Sequence, residues 1–120
     1  MIFAGYRDRD LPAVASTADC FVLMAPGSDD SCRAALEAMA AGLPVVAGRQ
    51  GALPETIVDG ETGWLIPDER PESVAAALRT VLSDRARAAA MGAAGRRRAE
   101  TVFGPEHGVS IVEDAYRRLR

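Results

Sequence analysis

The residues best suited to chemistry lie where a loop runs into a helix: Pro26-Gly27-Ser28-Asp29-Asp30-Ser31-Cys32-Arg33, with Glu37 eight positions beyond Asp29. Small residues and a helix start expose backbone N–H groups that have no partner within the helix, and such groups hold phosphate. A carboxylate two turns further along the same helix suits the hydroxyls of a sugar. The helix ends at Gly42, and Pro44 opens an apolar run, Val45-Val46-Ala47. A strand–loop–helix order of this kind builds ligand sites at the carboxyl edge of a parallel sheet.

The elements that must position these residues follow from the hydrophobic pattern. Met1–Gly5, Cys20–Met24, Pro44–Ala47 and Trp64–Pro67 are short apolar runs and read as four strands. Cys20–Met24 is apolar enough to be buried on both faces, as in parallel sheets. Helices are expected from Asp10, as a cap, through Ala18 with Pro12 in the first turn, over Ser31–Ala41, for a turn or two from Leu53 to Val58, from Pro71, from Arg85 to Thr101, and over Glu106–Arg120. Ser83 or Asp84 caps the helix from Arg85, whose Gly92 and Gly95 weaken it locally. Arg96-Arg97-Arg98 reads as a solvated face, and Val109, Val112, Tyr116 and Leu119 as the inward stripe of the last helix. Strands alternating with helices give an α/β fold, a Rossmann-like parallel sheet of about four strands with flanking helices.

Composition narrows the function classes. A chain of 120 residues, 48% hydrophobic, makes one domain with one core. No apolar run approaches the roughly 20 residues of a membrane span, and Met1-Ile2-Phe3-Ala4-Gly5 lacks the basic start of a secretory signal. A net charge of −3 argues against nucleic acid as the partner. All 14 basic residues are arginine, which reads as codon bias. Cys20 and Cys32 are expected to be reduced thiols, pointing to the cytoplasm. His107 is the only histidine, and no cluster of metal-ligand spacing accompanies it.

Several stretches in order resemble one family. Asp29, seven residues, then Glu37-Ala38-Met39-Ala40-Ala41-Gly42-Leu43-Pro44-Val45-Val46-Ala47 is similar to the acidic motif of the GT-B-fold glycosyltransferases of the group 1 (family 4) type. Gly51-Ala52-Leu53-Pro54-Glu55 and Asp59-Gly60-Glu61-Thr62-Gly63-Trp64-Leu65 resemble that family's glycine-rich loop and its next turn and strand. Phe3, Gly5, Leu11, Pro12, Met91, Gly92, Arg96 and Phe103 match further positions. The resemblance covers essentially the whole chain. It implies the C-terminal part of a donor domain that binds a nucleotide-diphosphate sugar, with transfer that retains the anomeric configuration.

The resemblance also implies roles. Glu37 accepts hydrogen bonds from the ribose, and Asp29 is the candidate catalytic carboxylate, contacting the transferred sugar or its phosphate. The backbone at Ser31 and Cys32, with Arg33 beside them, faces the diphosphate, and Gly51 lies beneath the base. Each has a plainer reading: Asp29 as the cap of a helix from Ser31, Ser31 and Cys32 as an ordinary helix start, Gly51 as a turn. The family usually carries Glu at the position of Asp29 followed by Gly-Phe-Gly, where this chain has Asp30-Ser31-Cys32. Asp30 therefore places a negative charge where a diphosphate is expected.

The family's acceptor domain and its basic diphosphate clamp have no counterpart, so the chain reads as a fragment (residues 1–120, one partial domain) that alone does not turn over. No metal and no further cofactor are expected. The acceptor is a lipid, a glycan or a small molecule, and the parent protein is cytoplasmic or peripheral to the inner membrane. Alternatives are a non-catalytic module that homodimerises through the truncated sheet edge or the C-terminal helix, and a sugar-nucleotide epimerase. A receiver-like signalling domain needs a lysine, and this chain has none.

Overall fold

The computed structural model describes residues 1–7, 9–24 and 29–119, the side chains of 29–31 excepted. Its order is α1 (Leu11–Ser16), β1 (Phe21–Leu23), α2 (Asp29–Ala40), β2 (Val45–Gly48), α3 (Leu53–Thr56), β3 (Gly63–Ile66), α4 (Pro71–Ser83), α5 (Arg85–Val102) and α6 (Pro105–Arg118).

Three strands, not four, form the sheet among the described residues. They are all parallel in the order β1-β2-β3, with Phe21 beside Val45 and Val45 beside Gly63. Met1–Gly5 is apolar, as a strand requires, but it pairs with nothing there, and Phe3 is 90% exposed. The consequence shows in β1. Without a neighbour on its outer side among the described residues β1 is an edge there, and Val22 is 39% exposed, against the expectation of burial on both faces. Strand β2, with a neighbour on each side and helices above and below, is buried at every residue. Its Val45 and Val46 each gain on the order of 1.5–3 kcal/mol from that burial.

Two cores flank the sheet. On one face Val45, Ala47 and Leu65 meet Ala35, Ala38 and Met39 of α2 and Leu53 and Ile57 around α3. On the other, Val46 and Ile66 meet Val81 and Leu78 of α4. Arg87 lies over the Trp64 ring, 4.6 Å from its centroid, closing the second core at its rim.

The turn out of α2 is a glycine-dependent cap. Gly42 takes φ +79°, its N–H donates to Met39 O at 2.9 Å, and Leu43 N–H donates to Ala38 O at 3.1 Å. This double bond pattern ends a helix on a left-handed residue and delivers the chain into β2. Helix α5 then lies against that turn. It runs antiparallel to α2, with Gly92 beside Gly42 and Gly95 beside Met39. Gly92, one of the two glycines that weaken α5 as an isolated helix, is thus the residue that lets it approach.

Helix ends follow local chemistry. Asp84 caps α5, accepting from Arg87 N–H at 3.0 Å. Asp10 precedes α1 without capping it, because its carboxylate pairs with Arg7 at 2.6 Å. Asp68 precedes α4, and hydrogen bonds from Ser73 and then Arg70 hold its carboxyl below the ordinary range. Burial, and secondarily Asp19, pushes the Cys20 thiol up. Cys20 and Cys32 form no disulfide.

Helix α6 departs most from expectation. It forms, but Val109, Val112, Tyr116 and Leu119 are exposed rather than inward, Tyr116 by 69%. The radius of gyration is 15.6 Å, against about 13.6 Å for a compact chain of this length. The stripe is amphipathic, but the described residues offer it no core.

Candidate functional site

Helix α2 begins at Asp29, two residues before the expected Ser31. The unpaired amides of its first turn therefore include those of Asp29, Asp30 and Ser31. Their side chains lie outside the described residues, and with them the cap reading of Asp29. Asp29 and Glu37 stand on one helix, eight residues or about 12 Å apart along its axis. Cys32 turns inward and packs against the core of α2 and β2, so only its backbone faces the helix start.

Glu37 is half-exposed and accepts from Arg33 Nε at 3.2 Å. Both line a groove of about 550 Å³ with Leu36 and Ala40 of α2, Glu100 and Phe103 at the end of α5, and Glu106 at the start of α6. Because α5 is antiparallel to α2, its end arrives at the start of α2, the carboxyl side of the sheet. A second groove, of about 410 Å³, is lined by Asp19, Pro44 and Arg85 at the amino ends of β1 and β2, away from the candidate residues.

Gly51 does not line the first groove. It lies in the loop after β2, exposed, with φ +54°. That loop is tied down on several sides. Arg49 Nη2 donates to Asp59 at 3.1 Å, and the Asp59 carboxylate also accepts from Leu65 N–H at 2.9 Å. The Gln50 amide donates to Glu69. Arg49 is therefore engaged with a carboxylate of this chain. The structure brings Arg33 and Glu37 into one groove, and sets Gly51 on the same edge of the sheet through a separate loop.

The part of this region that sequence reasoning missed is Arg98. Its Nε donates to Thr56 O at 2.9 Å and its Nη2 to Glu55 O at 2.8 Å, from 42 and 43 residues away. Within the triplet, Arg96 pairs with Glu100 at 3.0 Å and Arg97 is exposed, so only Arg98 departs from a solvated face. Nothing in the run Arg96-Arg97-Arg98 marks which member turns inward. Among the described residues, no three His, Cys, Asp or Glu side chains are placed to hold a metal ion, and no helix is long and apolar enough to cross a membrane.

Residues 1–98 match the family of glycosyl transferases group 1. The chain belongs to that family. A D-inositol 3-phosphate glycosyltransferase of Kineococcus radiotolerans is 42% identical over 121 aligned positions, covering 94% of this chain and 25% of that protein. Spore coat protein SA of Bacillus subtilis is 31% identical over 115 residues, covering 95% of this chain and 30% of that one. A GDP-mannose-dependent alpha-(1-6)-phosphatidylinositol monomannoside mannosyltransferase of Mycolicibacterium smegmatis is 51% identical over 61 residues, covering 51% of this chain and 16% of that protein. This member thus spans under a third of the length of these relatives.

Two solved structures share the fold. A sucrose-phosphate synthase from Thermosynechococcus elongatus superposes with a TM-score of 0.78 at 33% identity, over 98% of this chain and 30% of that one. Anabaena HepE, solved in complex with UDP and glucose, gives 0.74 at 23% identity over 94% of this chain and 32% of its own. The fold of this family member is accordingly the corresponding part of a GT-B Rossmann-like domain.

Proposed function

We propose that residues 1–120 form part of the donor-binding domain of a longer glycosyltransferase and hold the nucleotide diphosphate of a sugar donor. The observation that carries this reading is Glu37, half-exposed in a groove along α2, the helix whose start lies at the carboxyl side of a parallel sheet, within a family whose members transfer sugars. Support for the donor class comes from HepE, solved with UDP and glucose, and from a GDP-mannose-dependent relative. The acceptor domain belongs to the remainder of the longer protein in this reading.

The roles follow from charge. The Glu37 carboxylate accepts from the ribose hydroxyls and fixes the nucleoside. The amides at the start of α2, from Asp29 to Ser31 and on to Cys32, face the diphosphate, where the positive end of the helix dipole favours negative charge. Arg33, one turn in, adds a cation that neutralises charge on the departing diphosphate, and Gly51 lets its loop lie close under the base. Asp29 orients the transferred sugar. An acceptor hydroxyl attacks the anomeric carbon, the bond to the diphosphate oxygen breaks, and the acceptor's proton is lost to a base or to the leaving group. Catalysis in this scheme is positioning and leaving-group stabilisation.

The test is transfer by the full-length protein. Glu37→Gln is expected to reduce release of nucleoside diphosphate from the sugar donor at least about tenfold, and unchanged release would defeat the assignment.

A second reading has one observation in its favour, the apolar stripe of α6 that the described residues leave bare. A non-catalytic module would use it to pair with a second copy. Light scattering across a hundredfold range of concentration, about the span needed to populate both states of a micromolar dimer, is then expected to show mass rising to twice that of one chain. A constant monomer mass removes this reading.

A further inference from the structure

Helix α3 has four residues, so it cannot satisfy its own last carbonyls. Arg98 does so from α5, with Nε on Thr56 O and Nη2 on Glu55 O. The geometry needs a fork: two donors fixed in one plane, aimed at two consecutive carbonyls. The face of the same guanidinium lies over the Phe103 ring, 5.5 Å from its centroid, and Phe103 lines the groove that holds Glu37. One side chain thus joins the Gly51–Thr56 loop to the groove wall at the junction of α5 and α6.

We propose that Arg98 is a positioning residue of the donor site. It touches no substrate; it fixes the Gly51–Thr56 loop against α5 and keeps that loop in register with the wall beside Glu37. This rests on the reading of Glu37 and Gly51 as donor-binding residues. The cation suits the negative end of α3, and the loop it holds has no other anchor from α5 among the described hydrogen bonds.

The experiment compares the 120-residue chain with Arg98→Ala, Arg98→Lys and the exposed control Arg97→Ala. Two quantities are read at a temperature where circular dichroism shows every variant folded: amide hydrogen exchange, and calorimetric affinity for UDP and for GDP. Lysine keeps the charge and loses the fork, so it serves even if the alanine variant does not fold. Both Arg98 variants are expected to speed exchange of the Thr56 and Ile57 amides, which donate to Ala52 O and Leu53 O, by about tenfold. The β2 amides should keep their protection, and nucleotide affinity should fall by about tenfold. A purely structural role leaves affinity unchanged in a folded variant. Exchange at Thr56 and Ile57 equal to that of Arg97→Ala overturns the anchor. Faster exchange with unchanged affinity overturns the positioning role. Absence of binding by the unsubstituted chain overturns the donor-site reading and the positioning role with it, while exchange still decides the anchor.

Discussion

Gly92→Ala should destabilise the chain by about 3 kcal/mol, near the upper end for overpacking, whereas Gly95→Ala, three residues along the same helix, should cost nothing or stabilise it slightly. A Cβ on Gly92 would lie 2.0 Å from Gly42 O and 2.9 Å from its carbonyl carbon. Neither atom belongs to a flexible side chain. Gly42 is held by its φ of +79° and by the two hydrogen bonds that end α2. Relief requires α5 to move off the turn between α2 and β2, which loosens the packing at Met39 and Met91. A Cβ on Gly95 would meet Thr62 O at 3.5 Å and Met39 Cγ at 3.6 Å, ordinary contact distances. There the helix propensity of alanine, about 1 kcal/mol over glycine, is free to act. Urea unfolding of the two variants measures the difference, and equal midpoints would contradict the close approach of α5 to Gly42.

The second large effect is on binding. Glu37→Gln should weaken the affinity for nucleoside diphosphate by about thirtyfold, or roughly 2 kcal/mol. Hydrogen bonds to a charged acceptor contribute about 1.5–3 kcal/mol and those to a neutral one about 1. The amide keeps shape and one acceptor oxygen and loses the charge. The present partner of Glu37 does not stand in the way: the Arg33 pair spans 3.2 Å between exposed side chains, and such pairs contribute about 0–1 kcal/mol. A ribose can displace it. For the same reason the substitution should leave the unfolding midpoint almost unmoved, which separates its effect from that of Gly92→Ala.

The apolar runs of the sequence locate β1, β2 and β3 to within a residue or two, because a strand in a parallel sheet needs little more than a short apolar segment between turn residues. The same rule over-reads Met1–Gly5. An apolar run says that a segment favours burial and nothing about whether a neighbour waits for it. Helix α6 carries the same lesson at helical spacing: Val109, Val112, Tyr116 and Leu119 mark a face, and the described residues place no core against it. Glycines mislead in the opposite direction. Gly92 reads, like Gly95, as a weak point in α5 while its role is packing, and only the position of Gly42 reveals it. At the site, the pairing of Arg33 with Glu37 is foreseeable from their i,i+4 spacing. The reach of Arg98 across 42 residues to Thr56 is not, since its neighbours Arg96 and Arg97 are the same residue type and differ only in which way the helix turns them.

Whether these residues hold the donor is decided by calorimetric titration of the 120-residue chain with UDP and with GDP. Saturable binding of one equivalent of at least one of them is expected, weakened by Glu37→Gln. No heat from either nucleotide, with the chain folded, would contradict the claim that residues 1–120 bind the donor's diphosphate.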